Sequence, residues 1–99
     1  MELTGKQKSY LKKLVHNATP VVMIGSKGVS DQVLRAINEE LEMKELIKIK
    51  FSGFKEAKKQ LFPEIAEKSQ AIAVDLIGNV GILYRQCQII EDRKIKIPK

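Results

Sequence analysis

The sequence predicts an α/β fold of the two-layer α+β kind: an N-terminal helix, then β-α-β-α-β-β, giving a four-stranded mixed sheet with helices packed on one face. Three observations predict it. Apolar residues recur at helical spacing over 4–16 and 30–42, the pattern switches to period two over 46–52, and Gly78-Asn79 joins two apolar runs as a two-residue hairpin connection.

The first helix places Leu3, Tyr10, Leu11, Leu14, Val15 and Ala18 on one side and Lys6, Ser9, Lys12, Lys13 and His16 on the other; Thr19-Pro20 ends it. Val21 to Ile24 is a short apolar run bounded by Pro and Gly, which reads as a strand covered on both faces. The second helix, over 30–42, turns Val33, Leu34, Ile37 and Leu41 inward, with Ser30 as its N-cap. In the strand over 46–52, Ile47, Ile49 and Phe51 point one way and Lys48 and Lys50 the other. A third helix over 55–68 buries Ala57, Leu61 and Ile65, and Pro63 inside it predicts a kink or break. Strands over 71–77 and 80–85 then form an antiparallel hairpin, whereas the first two strands are parallel through a crossover. Read by parity, the outer face carries Lys48, Lys50, Ala71, Ala73, Asp75, Gly81, Leu83 and Arg85, with no aromatic ring for base stacking. Residues 1–99 form one domain, and the basic tail from about 87 to 99 is expected to be flexible or a short edge strand.

Composition narrows the function classes. A hydrophobic fraction of 43% and a charged fraction of 30% are ordinary for a folded domain. With no run long enough for a membrane span and no apolar leader, the expected setting is the cytoplasm, without a membrane partner. Cys87 is the lone cysteine and His16 the lone histidine, so neither a disulfide nor a metal-ligand spacing exists. No nucleophile, acid–base pair, phosphate-loop lysine motif or cofactor fingerprint is present, so no catalytic residue, metal, cofactor or small-molecule substrate is expected. The formal net charge of +6 is clustered in residues 1–20, around Lys48 to Lys59, and near the C-terminus, which points to a polyanionic partner.

The segment Ile24-Gly25-Ser26-Lys27-Gly28-Val29-Ser30 is the candidate binding loop. Two glycines allow close backbone approach, Lys27 can pair with a phosphate, and the amides of the following helix start face the same anion, although Asp31 in that first turn opposes it. Gly25, Ser26, Lys27, Gly28, Lys48, Lys50, Arg85, Lys12, Lys13 and His16 are the expected nucleic-acid contacts. A different reading makes the loop a mere turn and the chain a protein-interaction module docking acidic proteins. A weaker one gives the loop a free nucleotide phosphate.

Leu3-Thr4-Gly5-Lys6-Gln7-Lys8, Ile24-Gly25-Ser26-Lys27-Gly28, Glu45-Leu46-Ile47-Lys48, Ile77-Gly78-Asn79, Leu83-Tyr84-Arg85 and the ending Lys94-Ile95-Lys96-Ile97-Pro98 together resemble the YhbY-like proteins. These are the stand-alone form of the chloroplast RNA splicing and ribosome maturation (CRM) domain. The resemblance implies a fold like the C-terminal domain of translation initiation factor three. It also implies an RNA-binding protein associated with ribosomal RNA in precursors of the large ribosomal subunit; the chain is expected to be a monomer. On Gly25 and Gly28 it implies a loop comparable with that of KH domains, which clamps the nucleotide backbone. Many bacterial members place the lysine directly after the first glycine, whereas here Ser26 precedes Lys27.

Overall fold

Helix α1 (Gly5–Val15) begins on a reciprocal pair: the Gln7 N–H donates to Thr4 Oγ1 at 3.1 Å, and the Thr4 N–H donates to Gln7 Oε1 at 3.0 Å. Such a capping box satisfies two donors that a helix start leaves without partners. In the computed structural model, which describes residues 2–25, 28–52 and 57–98, α1 is followed by β1 (Val22–Ile24), α2 (Asp31–Lys44), β2 (Leu46–Phe51), α3 (Lys58–Lys68), β3 (Ile72–Ile77), β4 (Val80–Tyr84) and a 3₁₀ turn at Ile90–Asp92. The sheet order is β1-β2-β4-β3, with β1 and β2 parallel and the other two pairs antiparallel. Three helices on a four-stranded mixed sheet is the α+β arrangement that the patterning predicts.

The helices divide between the faces of the sheet, rather than sharing one as expected. Ile37 and Leu41 of α2 and Phe62, Ile65 and Ala66 of α3 pack with Ile47, Ile49, Phe51 and Leu83. On the opposite face Leu11 and Val15 of α1 pack with Leu46, Val74, Ile82 and Tyr84. Periodicity shows that a helix has an apolar side but not which side of a sheet will cover it. The same arrangement corrects the parity of β3 and β4. Leu83 and Ala73 face α2 and α3, while Ile82 and Tyr84 face α1. Gly81 also lies under α3: a Cβ there would sit 2.6 Å from Phe62 Cε1, so only glycine lets the ring approach the sheet. Because β4 is covered on both sides, its apolar run carries no alternation from which parity could be read.

Pro63 does not break α3, which continues from Lys58 to Lys68. Pro63 is exposed, and the carbonyl it leaves without a helical donor belongs to exposed Lys59, where water can serve. Phe62, Ile65 and Ala66 meanwhile anchor the other side of the helix in the core. The expected helix start at residue 55 lies outside the described residues.

The tail returns to the body of the fold through Glu45. Glu45, which follows α2, is 1% exposed and has φ of 62°. Its carboxylate accepts the N–H groups of Cys87 (2.7 Å), Lys94 (2.5 Å) and Ile95 (3.0 Å). Its own carbonyl accepts the Arg85 N–H at 2.8 Å. Ile95 and Ile97 then pack against the α1 side of the sheet, and Gln7 Nε2 donates to the Pro98 carbonyl at 2.9 Å.

Candidate nucleic-acid interface

At the end of β1 the chain enters the glycine loop. The Gly28 N–H donates to the Gly25 carbonyl at 3.0 Å, and Gly28 has φ of 71°, a conformation that L side chains adopt at a cost. Gly25 is different. It is exposed, it is not in the left-handed region, and a Cβ added there meets nothing within 4 Å among the described residues. Among the described residues, neither packing nor backbone conformation requires glycine at 25. Ser26 and Lys27, the expected phosphate contacts between the glycines, lie outside the described residues.

The elements around the loop are tied together. The Ser52 N–H donates to the Ile24 carbonyl at 2.9 Å, satisfying the last β1 acceptor before the loop. Ser30 caps α2, its Oγ accepting the Val33 N–H at 3.2 Å. At the same end of the sheet the β3–β4 turn is gripped by Lys58, whose ammonium donates to the Gly78 carbonyl at 2.7 Å and Asn79 Oδ1 at 2.9 Å.

The two strand lysines play different parts. The Lys48 ammonium donates to the carbonyls of His16 (2.8 Å) and Ala18 (3.1 Å), so it ties the end of α1 to β2. A cation at a helix C-terminus meets both unpaired carbonyls and the negative end of the dipole. Lys50, two residues on, is exposed and makes no ion pair among the described residues. Lys48→Ala is therefore expected to lower unfolding stability by about 1 kcal/mol, and Lys50→Ala to leave it unchanged, as read by urea denaturation.

Along α1, Ser9, Lys12, Lys13, His16 and Asn17 line a shallow surface depression of about 520 Å³. Lys13 and His16 are exposed there, while the Lys12 ammonium rests 2.8 Å from Asp75 Oδ2 on β3. The hydrogen bond from Lys12 holds the Asp75 carboxyl below its ordinary range, partial burial opposes the shift, and the Leu76 N–H and the charge of Lys8 reinforce it. A depressed carboxyl stabilises the fold above the unfolded-state value and loses that contribution as pH falls through the folded one. Both partners are more than a third exposed, so the pair is worth less than about 1 kcal/mol. The Asp75→Asn variant is expected to lose slightly less stability than the parent between neutral pH and about pH 3, in acid titrations followed by circular dichroism. Removing that carboxylate also frees Lys12, so binding to a polyanion should tighten rather than weaken.

Arg85 stands apart from these residues. Its guanidinium donates to Asn38 Oδ1 (2.6 Å), the Asn38 carbonyl (3.2 Å) and the Ser69 carbonyl (3.0 Å), on the α2–α3 side and beyond the other end of the sheet. The expectation that it shares a face with Lys48 and Lys50 is therefore corrected: Tyr84 points toward α1, and the next residue points away. Arg85 borders an open concavity of about 760 Å³ with Asn38, Gln70, Gln86, Cys87 and Gln88. Beside it, burial and then the Glu45 charge push the Tyr84 phenol above its usual value, so it stays protonated near neutrality. What sequence reasoning missed was Glu45 and the tethering role of Lys48. The sequence signal for Glu45 is that α2 ends with no glycine or asparagine at the position where the chain turns left-handed.

Among the described residues no cluster of three or more His, Cys, Asp or Glu side chains could hold a metal ion. Nor is any described helix long and apolar enough to cross a membrane. The chain is similar to an RNA-binding protein of Haemophilus influenzae, 39% identical over 98% of this chain and 96% of that one. It is similar also to YqeI of Bacillus subtilis, an RNA-binding protein by name, at 35% identity over 97% of this chain and 99% of that one. Among solved structures, a Staphylococcus aureus protein of proposed RNA-binding role superposes with a TM-score of 0.83 at 35% identity, covering 98% of this chain and 100% of that one. Residues 3–85 match the CRS1 / YhbY (CRM) domain, and with relatives of this similarity along nearly its whole length the chain belongs to that family.

Proposed function

We propose that the protein is a non-catalytic RNA-binding domain that contacts ribosomal RNA in precursors of the large ribosomal subunit and assists their assembly. It would act as a cytoplasmic monomer of one domain. The loop from Gly25 to Gly28, Lys50 and the α1 stripe of Lys12, Lys13 and His16 would grip the phosphate backbone, with RNA shape giving selectivity. The observation that carries this reading is Gly25: an exposed glycine that, among the described residues, neither φ nor packing requires, beside a basic surface. The RNA-binding names of the relatives support the same partner, and the net charge of +6 suits it. Lys48 and Arg85 act in this account as framework cations, already committed to carbonyls.

The test is sedimentation of cell extracts. The protein should travel with large-subunit precursor particles and be released when their RNA is digested with ribonuclease. Retention on the protein components after digestion would instead favour docking on acidic ribosomal proteins.

A further inference from the structure

The strand registers align Lys50 with three side chains that the loop-and-lysine account leaves unused. Met23 of β1 pairs with Lys50 of β2, Lys50 pairs with Val80 of β4, and Val80 pairs with Ile77 of β3. Residues directly opposite one another in a sheet point to the same face, so these four form one row across all four strands. It is the α1 face, because Lys50 alternates in step with Leu46, and Val80 with Ile82 and Tyr84. The helix does not reach the row: Met23 is 54% and Ile77 55% exposed, and Lys50 is exposed between them.

Single exposed apolar side chains need no explanation, but an aligned apolar row with a cation at its centre does. At the usual strand spacing the row is about 14 Å wide. One of its ends lies two residues before Gly25, and Lys50 sits between its apolar members. Two copies of this chain meeting through the row would oppose Lys50 to Lys50 and α1 lysines to α1 lysines, in a protein of net charge +6. A polyanion with flat apolar parts has the complementary chemistry, and an unpaired stretch of RNA is such a polyanion. A duplex offers this surface only phosphates and base edges, which would leave the apolar row against water.

We infer that the row Met23–Lys50–Val80–Ile77 is a shelf on which unpaired bases of the bound RNA lie, next to the loop that holds their backbone. This rests on the RNA reading above and adds to it that the RNA is single-stranded at the site. The thioether of Met23 supplies a polarizable contact to a base face, Val80 and Ile77 supply aliphatic surface, and Lys50 neutralises a phosphate or donates to a base edge. No aromatic ring is needed, since the contact is dispersion and excluded water rather than ring stacking.

The experiment compares wild type with the double variant Met23→Ser/Ile77→Ser on three probes: an unstructured single-stranded oligoribonucleotide, the same strand with abasic sites, and a duplex. Both side chains are more than half exposed, so the variant should keep the parent's melting temperature. Affinity for the base-bearing strand should fall about tenfold with an unchanged salt slope, whereas Lys50→Ala should flatten that slope. Wild type should bind the abasic strand more weakly, and the double variant should bind it no more weakly than wild type does. Equal wild-type affinity for abasic and base-bearing strands, or for duplex and single strand, would overturn the shelf while leaving RNA binding intact. Loss of self-association in the double variant, with RNA affinity unchanged, would assign the row to a protein contact. Failure of wild type to bind any of the three would remove the RNA reading itself, and the shelf with it.

Discussion

Replacing Glu45 by alanine is expected to lower the unfolding free energy by about 3–5 kcal/mol. Its carboxylate is the common acceptor for the N–H groups of Cys87, Lys94 and Ile95, in a residue only 1% exposed. A buried carboxylate is costly unless it is hydrogen-bonded, and here three amides donate to it; removing it strands those amides together. The consequence extends along the chain, because Ile95 and Ile97 cover part of the core under α1 only while that anchor holds. Urea denaturation should show the loss, and hydrogen exchange should show the amides of Cys87, Lys94 and Ile95 unprotected. Glycine at the same position separates two contributions. Glu45 has φ of 62°, so Glu45→Gly should lose the carboxylate bonds but recover about 1 kcal/mol relative to alanine. Wild-type stability in Glu45→Ala would mean that the tail contributes nothing to the fold.

The second large effect is on binding rather than on stability. Gly25→Asp is expected to reduce RNA affinity more than about tenfold while changing unfolding free energy by less than about 0.5 kcal/mol. The two halves of that statement have separate grounds. A Cβ at 25 meets no atom of the described residues within 4 Å and requires no left-handed backbone, so the fold is expected to tolerate it. The same side chain fills the approach to the loop and brings a negative charge to the phosphates. Gly28→Ala is the contrasting variant: its Cβ also meets nothing among the described residues, but with φ of 71° it should cost about 1 kcal/mol of stability. Filter-binding and urea titrations on the two proteins give both numbers. Affinity retained by Gly25→Asp would make the loop a structural turn.

These expectations also indicate where the sequence was legible. Element order, the parallel β1–β2 pair and the Gly78-Asn79 hairpin follow from periodicity and turn chemistry, because those signals are local. The placement of α1 on the opposite face is not local. Leu11 and Val15 mark an apolar stripe, yet nothing in the stripe distinguishes one sheet face from the other. Ile82-Leu83-Tyr84 reads as uniformly apolar because both faces are covered, which is why parity failed there. Lys48 and Lys50 are alike as letters; only the geometry gives one to the α1 carbonyls and leaves the other at the surface. Glu45 is hidden for a related reason. It follows Glu39, Glu40 and Glu42 and looks like one more solvated acid, until the tail returns to meet it across more than forty residues. In the candidate site, the glycine loop and the α1 lysines were legible, whereas the row joining Met23 to Ile77 needed the strand registers.

The central claim is that RNA meets this protein on the face bearing α1 and at the loop end of the sheet. Photochemical crosslinking of bound RNA, followed by identification of the linked peptides, tests it most directly. The account predicts crosslinks at Met23 to Ser30, at Lys50 and along the stripe of Ser9, Lys13 and His16. Crosslinks confined to the concavity of Asn38, Arg85 and Gln86, with the loop and α1 unlabelled, would contradict it.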